Sequence, residues 1–448
     1  MYNNPYLQRA KKLSQVTRIE DVPALSAANF PGSHCPLFGA LLALRQIPDA
    51  AFLVVGTDEC TFYSKSMLHG FGHRNHVDER CFSLVLDEKD VSFGCRDKLS
   101  AALHELKALG NYPVVFVIST CVVELIGDDL ESILAGLEAE LEIKLPLIHT
   151  EHFKCENHQP GLERSLESLC HLMEEPEEIE SMSVNLIGHR HGDFEASELA
   201  AFLKHAGIRV RLVLPSEAPL NELKRASEAA LNLVVDATGL ALAKRMEERF
   251  DFPYVYFDRF LDPEAIEAAY LELATLVHPD DEQAAESLVS EFLAKKKSRL
   301  QLLEAQARER LAGRTFIYGN TPFMPLNFCL YLAKLGMIPQ MVQVRNLGPK
   351  EAEVRETLLT YADPYLSKNA NIAPLQTIYD CLKPDFYIGH EFAARLRKKG
   401  IIVLACDRLG KQFGLQLCEG LLKLLLDSAD ASDALKAELE QVQLKECV

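Results

Sequence analysis

The sequence predicts an α/β fold built from three Rossmann-like domains with parallel sheets, and two observations support this prediction. After a polar N-terminal segment, short apolar segments of strand length alternate with amphipathic helical segments, which is typical of parallel sheets. A strand, a glycine-containing loop, a helix and a second strand also follow one another twice, at 183–215 and at 314–344. Each set predicts one right-handed βαβ unit.

The predicted domains are separated where these patterns break. Residues 1–175 form the first α/β domain, 181–311 the second and 312–448 the third. The second domain is expected to end in a long Lys/Glu/Arg-rich amphipathic helix from about 281 to 311. The acidic segment EEPEEIE, between the first two domains, is predicted to be a solvated linker.

Strands of the first domain are predicted at the apolar segments 50–56, 113–119 and 145–150. The later domains gain further strands at LNLVVDA, YVYF, DFYIG and IIVLA. No domain contains a complete G-x-G-x-x-G after a strand or a Walker A sequence. We therefore expect that this chain binds no nucleotide itself.

Composition excludes several classes of partner. The formal net charge is -18 and no Lys/Arg-rich block is present, which argues against nucleic acid or an anionic membrane surface as the main partner. No segment approaches the roughly 20 apolar residues of a membrane helix, and no secretory signal is evident, so we expect a cytoplasmic protein. Its 12 cysteines are then reduced thiols, and no CxxC pair occurs among them.

Three cysteines stand where a helix is predicted to start. Cys60 and Cys121 each follow a predicted strand, and Cys35 precedes Pro36, a residue favoured at the first helical position. Ligands of open parallel sheets bind at the carboxyl ends of the strands. The positive ends of three helix dipoles are expected to lower the pKa values of these thiols and to favour an anionic iron–sulfur centre. The alternative is that all three are buried packing residues.

The segments CPLFGA, VVGTDEC and STCVVELIGDDLESI resemble the component 1 superfamily of nitrogenase and nitrogenase-like reductases. The gaps of 25 residues from Cys35 to Cys60 and of 61 from Cys60 to Cys121 are similar to those between the cluster-binding cysteines of that family. CPLFGA and TCVVELIGDD resemble the nitrogenase β subunit, and FLVVGTDEC resembles the N subunit of dark-operative protochlorophyllide reductase. The three-domain layout also agrees with the family.

The resemblance implies an iron–sulfur cluster at a subunit interface, bound by Cys35, Cys60 and Cys121 and completed by a partner. One further ligand would give a 4Fe-4S cluster, and three further thiolates an 8Fe-7S P-cluster type. The implied partners are a paralogous component 1 subunit, in a heterodimer or an α2β2-like heterotetramer, and an ATP-dependent iron protein.

The chain departs from the nitrogenase α subunit at the two ligands of the large catalytic cofactor. The strand LNLVV is followed by Asp236 where a cysteine is expected, and the C-terminal segment lacks the expected histidine. Cys406 and Asp407 lie at a predicted strand end, where a structural role for Cys406 is favoured. We therefore interpret the chain as a β-like or N-like subunit.

Other candidate residues lie in the first domain. His69, His73 and His76 have a spacing that would suit zinc on one helical face, although Gly70 and Gly72 favour an exposed loop there. The remaining candidates are cysteines, two expected to pack near the cluster and one in a loop with a lesser chance of being an extra ligand: Cys81, Cys95 and Cys155.

The leading function implied by the resemblance is a subunit of a two-component, ATP-dependent reductase. Electrons would pass from the iron protein through the interfacial cluster to a shared active site, with dinitrogen, a tetrapyrrole or a carbon–sulfur compound as substrate. The alternative is a scaffold subunit for the assembly of a complex iron–sulfur cofactor. A third hypothesis is a metal-free α/β binding protein.

Overall fold

The computed structural model describes most of the chain. The described residues are 4–27, 34–70, 79–110, 112–155, 157–190, 194–216, 218–319, 321, 323–344, 347, 349–368, 372–406 and 409–446.

The described residues form an α/β fold with three sheets, in which every strand pair is parallel. The strands of the first sheet are β1 (Ala50–Gly56), β2 (Cys81–Val85), β3 (Val114–Ser119) and β4 (Leu147–His149). The strands of the second sheet are β5 (Glu180–His189), β6 (Arg209–Pro215), β7 (Ala229–Val234) and β8 (Tyr254–Tyr256). The strands of the third sheet are β9 (Thr315–Tyr318), β10 (Ile338–Gln343), β11 (Tyr365–Ser367), β12 (Phe386–Ile388) and β13 (Ile402–Leu404).

Helices connect and cover these strands. In chain order to the end of the second sheet they are α1 (Pro5–Arg9), α2 (Pro36–Leu44), α3 (Asp58–Gly70), α4 (Glu88–Phe93), α5 (Arg96–Leu109), α6 (Cys121–Ile126), α7 (Leu130–Leu141), α8 (Gln159–Ser168), α9 (Glu198–His205), α10 (Leu220–Lys224) and α11 (Leu240–Phe250). The later helices are α12 (Pro263–Ala274), α13 (Glu282–Leu311), α14 (Pro325–Lys334), α15 (Pro349–Leu359), α16 (Ile372–Leu382), α17 (Ala393–Arg397) and α18 (Gly414–Glu446).

The predicted α/β fold is confirmed, and the strand sequences explain it. All residues of β1 and β3 are buried, as expected when helices cover both faces of a parallel sheet. Along β1, Phe52 and Val54 pack into one core cluster whereas Leu53 and Val55 pack into another, because successive side chains of a strand point to opposite faces. Continuous apolar strands of this kind are stable only between two layers of helices.

Each sheet reverses its strand order once. The order of the first sheet is β2-β1-β3-β4 and that of the second is β6-β5-β7-β8, while the third has β11-β10-β9-β12-β13. The reversal lies between β1 and β3 in the first sheet, between β5 and β7 in the second, and between β9 and β12 in the third. The helical connections on its two sides run in opposite directions along the sheet. A crevice opens at the carboxyl ends of the two strands at such a reversal. The first sheet places β1 and β3 at that point.

The chain divides into two compact units by its internal contacts. One consists of Ser33–Gly192 and Gly207–Asp258 and contains the first and second sheets. The other consists of Met1–Gly32, Asp193–Ala206 and Arg259–Val448 and contains the third sheet together with α13. The predicted division into three domains stays a prediction.

The helix predicted after Cys121 is interrupted. Gly127 adopts φ 80° and donates its backbone N–H to the carbonyl of Val123, which ends α6. Such a left-handed conformation favours glycine. The side chain of Asp129 then accepts the N–H of Ser132 at 3.0 Å and begins α7. Two helices therefore replace the single one expected. Within the described part of the chain, no helix has the length and apolar character needed to cross a membrane.

Two glycines allow α2 and α8 to pack with their backbones almost in contact. A Cβ atom on Gly161 would lie 1.8 Å from the carbonyl oxygen of Pro36, and one on Gly39 would lie 2.0 Å from that of His158. Backbone atoms cannot rotate away as a side chain can, so neither position accepts even a methyl group without a shift of a helix. This contact fixes the start of α2, where Cys35 stands.

Replacing Gly161 with alanine is therefore expected to lower the free energy of unfolding by about 3 kcal/mol, the upper end of the usual cost of overpacking. The matched control is Gly136→Ala on α7, where a Cβ would meet no atom within 4 Å. That control is expected to stabilise the helix by up to about 1 kcal/mol. Urea denaturation midpoints of the two variants measure both effects, and equal midpoints would contradict the close packing of α2 on α8.

Candidate functional site

The three predicted cysteines all lie at helix starts in the unit with the first sheet. Cys35 is the N-cap residue of α2, with Pro36 at the first helical position, as predicted. Cys121 is the first residue of α6, directly beyond β3, and Cys60 lies in the first turn of α3, beyond β1. The strands β1 and β3 are neighbours at the strand-order reversal. The fold thus brings Cys60 and Cys121 to one crevice.

The thiols of this group interact electrostatically. Burial raises the pKa of Cys35, and the charges of Cys60 and Cys121 raise it further. The backbone N–H groups of Phe38 and Leu37 oppose this effect but do not outweigh it. The prediction that helix starts lower the thiol pKa is therefore wrong for Cys35, because desolvation and two neighbouring sulfur atoms exceed the effect of the helix terminus. The sulfur of Cys35 thus lies within electrostatic range of the sulfur atoms of Cys60 and Cys121.

A tyrosine and a histidine complete the surroundings of Cys35. The hydroxyl of Tyr63 lies 2.7 Å from Nδ1 of His34, and it is close enough to Cys35 for the charge of that thiol to act on it. Burial, followed by the charge of Cys35, raises the pKa of Tyr63 far above its usual value, so the hydroxyl keeps its proton at neutral pH. Sequence reasoning missed Tyr63. Its position three residues after Cys60, on the same face of a helix, could have indicated it.

A backbone group contacts the third sulfur. The N–H of His152 donates to Sγ of Cys121 at 3.2 Å. His152 opens a short helical turn, His152–Lys154, just after β4. No pattern of residue types could have indicated this contact, because every residue except proline has a backbone N–H. The course of the loop alone directs the N–H of His152 towards the sulfur.

The donor set consists of thiols, which are the usual ligands of iron–sulfur clusters. Among the described residues, no three His, Cys, Asp or Glu side chains converge closely enough to hold one ion. Cys35, Cys60 and Cys121 are half-buried free thiols, and two of them face the carboxyl end of one sheet.

The other candidate cysteines have structural surroundings. Burial raises the pKa values of Cys81 and Cys95 to about 12, and Cys95 is also the N-cap residue of α5. Cys155 is half-buried, with Nη2 of Arg164 donating to its sulfur at 3.9 Å. Cys406 is 3 % exposed and donates to the carbonyl of Leu404.

The remaining candidates lie outside the described residues. They are Asp407 and the side chains of His69, His73 and His76.

The second sheet carries an aspartate at its own strand-order reversal. Asp236 follows β7, and its Oδ1 accepts the backbone N–H of Thr238 at 3.0 Å and the hydroxyl of the same residue at 2.6 Å. Its Oδ2 lies 3.5 Å from Nη2 of Arg190. The carboxylate is thus engaged by local donors, which is the behaviour of a side chain that caps a turn.

Large apolar side chains are exposed around the cysteine edge of the first sheet. Phe93 at the end of α4 is 89 % exposed, Phe62 on α3 is 73 % exposed and Leu125 on α6 is 70 % exposed. Phe153, in the turn that follows β4, is 50 % exposed. Exposed apolar side chains at one edge of a sheet are available for contact with another molecule. We call these four residues the apolar rim.

Known proteins resemble this chain over most of its length. A family model described as nitrogenase component 1 type oxidoreductase matches residues 35–427. The nitrogenase iron-molybdenum cofactor biosynthesis protein NifE of Clostridium pasteurianum is 28 % identical over 329 residues, which cover 73 % of this chain and 71 % of that protein. NifE of Methanosarcina barkeri is 25 % identical over 361 residues, which cover 78 % and 77 %. The solved structure "Nitrogenase Cp1 at pH 5" has a TM-score of 0.67 at 19 % identity and covers 94 % of both chains.

Proposed function

This chain belongs to the family of nitrogenase component 1 type oxidoreductases, and from that membership we propose that it is a scaffold subunit on which a complex iron–sulfur cofactor is assembled and then handed on. The observation that carries the proposal is the placement of Cys35, Cys60 and Cys121 at three helix starts, two of them beyond adjacent strands of one sheet, since only thiolates from neighbouring positions can share one cluster. The relatives named for cofactor biosynthesis favour a scaffold over the electron-relay reductase that leads from the sequence.

The chain's own residues would bind and shield the cluster. Cys35, Cys60 and Cys121 would supply thiolates, the N–H of His152 donates to the sulfur of Cys121, and Tyr63 lies near Cys35. When bound, an iron–sulfur cluster supplies one-electron chemistry at a potential set by such hydrogen bonds and by burial. Two helix starts and the first turn of a third stabilise the negative charge of the thiolates.

We infer the partners from the incomplete set of cluster ligands and from the exposed apolar rim. Three thiolates leave a cluster incomplete, so further ligands would come from a paralogous component 1 subunit that covers the apolar rim. Phe93 and Leu125 are the rim residues that such a contact would bury. An ATP-dependent iron protein would supply the electrons. The free thiols of the described residues suit the reducing cytoplasm, where we place the complex.

The second candidate function is the electron-relay subunit of a two-component reductase, and the oxidoreductase description of the family favours it. The two functions share the same three thiols and the same fold. They differ in what leaves the protein: a reductase releases a reduced substrate and keeps its cluster, whereas a scaffold releases the cluster.

A transfer experiment tests the proposal. The chain is purified anaerobically with its co-expressed paralogous subunit, loaded with iron and sulfide, and mixed with a component 1 protein that lacks its cofactor. A scaffold is expected to lose iron while the acceptor gains activity. Retention of all iron, together with substrate reduction under ATP and the iron protein, would instead establish the reductase. An absence of iron and acid-labile sulfide from the purified complex would contradict both.

A further inference from the structure

One arginine holds the loop that passes beside Cys121. The loop runs from the end of β4 at His149 to Cys155. Nη1 of Arg164, on α8, donates to the carbonyl of His149 at 2.7 Å and to Oε2 of Glu151 at 2.8 Å. Nη2 of Arg164 donates to the sulfur of Cys155 at 3.9 Å. A single guanidinium therefore contacts the beginning, the middle and the end of this loop.

The loop is attached to the sheet at its start. The N–H and the hydroxyl of Thr150 both donate to the carbonyl of Ser119, at 3.1 and 2.6 Å. Two residues later, the N–H of His152 donates to Sγ of Cys121. Between Thr150 and Cys155, Arg164 therefore holds the loop on both sides of His152, through Glu151 and through Cys155.

We propose that Arg164 is a positioning residue that fixes the loop His149–Cys155, so that the N–H of His152 points at the Cys121 sulfur and tunes the cluster that this sulfur binds. The inference rests on the proposed function in taking Cys121 as a ligand. An N–H donor withdraws electron density from a ligating sulfur and stabilises the reduced state. The hydrogen bond therefore raises the reduction potential of the cluster.

The geometry requires an arginine. The planar fork of a guanidinium reaches a carbonyl and a carboxylate through one nitrogen while the other nitrogen faces the Cys155 sulfur. A lysine ammonium is a compact point charge, which can pair with Glu151 but cannot span the same loop. The side chain of Glu151 is 5 % exposed, so it needs a cationic or donor partner in every folded variant.

Two variants separate positioning from folding. Arg164→Lys keeps a charge beside Glu151, and the double variant Arg164→Gln/Glu151→Gln removes both charges while keeping two groups that can hydrogen-bond. The matched control is Arg211→Lys, because Arg211 also pairs with a buried glutamate of this unit, Glu228 at 2.6 Å.

The first measurement uses the cluster-loaded complex. Both Arg164 variants are expected to retain the iron of the unmodified complex and to show a midpoint potential that is more negative by redox titration followed by EPR. The Arg211→Lys control is expected to keep the original potential. Unchanged potentials in both Arg164 variants would overturn the inference.

The second measurement uses the metal-free protein. Alkylation of Cys121 by iodoacetamide, followed by peptide mass spectrometry, is expected to accelerate several-fold in both Arg164 variants, because the loop no longer covers that sulfur. Deuterium exchange of the peptide that contains His152 is expected to accelerate with it, while the labelling rate of Cys60 stays constant. Unchanged labelling of Cys121 would overturn the inference. An absence of cluster from the unmodified complex would refute the proposed function, whereas this labelling decides the role of Arg164 by itself.

Discussion

Cys60→Ala and Cys121→Ala are each expected to strip the iron from the purified complex. Both side chains are half-buried free thiols beyond adjacent strands of one sheet, and alanine offers a cluster no donor. Loss of a residue that only supports a metal ligand typically costs 10–100-fold in metal affinity, so loss of a ligand is expected to cost at least about 10-fold. Iron and acid-labile sulfide assays on the anaerobic complex measure the effect.

The matched control for these variants is Cys381→Ala. Cys381 is also a half-buried free thiol, but it lies on α16 in the unit of the third sheet, where its sulfur accepts the side-chain N–H of Asn4 at 3.5 Å. Its removal is expected to leave the iron content unchanged. Equal iron in all three variants would show that the cysteines at the first sheet are packing residues.

Much of the fold could be predicted because its strands are fully buried. The apolar segments at β1, β3 and β7 are continuous, which distinguishes them from their surroundings. Two strands escaped prediction. β2 has one buried residue of five, and in β11, YLS, a serine follows two larger residues, so neither presents a periodic or continuous apolar signal.

The sequence could predict only those parts of the candidate site that depend on residue type. Cysteines at helix starts were visible in the sequence because thiols are few and Pro36 marks the helix. The contacts of the His152 N–H and of the Arg164 guanidinium could not be predicted, because both depend on the path of the loop from His149 to Cys155. The sign of the pKa shift of Cys35 also depends on burial and on two sulfur atoms distant in sequence, which no local pattern contains.

A buried carboxylate joins two helix starts in the unit of the third sheet. Oε1 of Glu198, the first residue of α9, accepts the N–H of Leu415 at 2.9 Å and the hydroxyl of Tyr270 at 3.1 Å. Its Oε2 accepts the N–H of Gln416 at 3.0 Å, and the Gln416 side chain accepts the N–H of Glu198 at 2.8 Å. The approach is so close that a Cβ on Gly414 would lie 2.2 Å from Oε1. A negative charge between two helix N-termini is favourable for both helices.

Glu198→Ala is therefore expected to lower the free energy of unfolding by about 2–6 kcal/mol, since two backbone N–H donors lose their acceptor at about 1–3 kcal/mol each. The variant leaves two N–H groups at the start of the 33-residue α18 without their acceptor. Chemical denaturation followed by circular dichroism measures the loss. Glu356→Ala is the control, because that side chain is 70 % exposed and its removal is expected to change stability by less than about 0.5 kcal/mol.

Glu198→Gln separates the charge from the hydrogen bonds. Burial raises the pKa of Glu198, although the charge of Lys296 and the N–H donors oppose the shift. The folded state therefore binds more protons than the unfolded state at pH values between the ordinary glutamate pKa and the raised pKa. The stability that this group contributes is then fully present below the ordinary pKa and declines as pH rises through the raised pKa. Glutamine does not titrate. The stability deficit of Glu198→Gln relative to the unmodified protein is therefore expected to shrink as pH rises above about 4.5, and a deficit that grows with pH would show that the carboxylate is stabilised in its charged form.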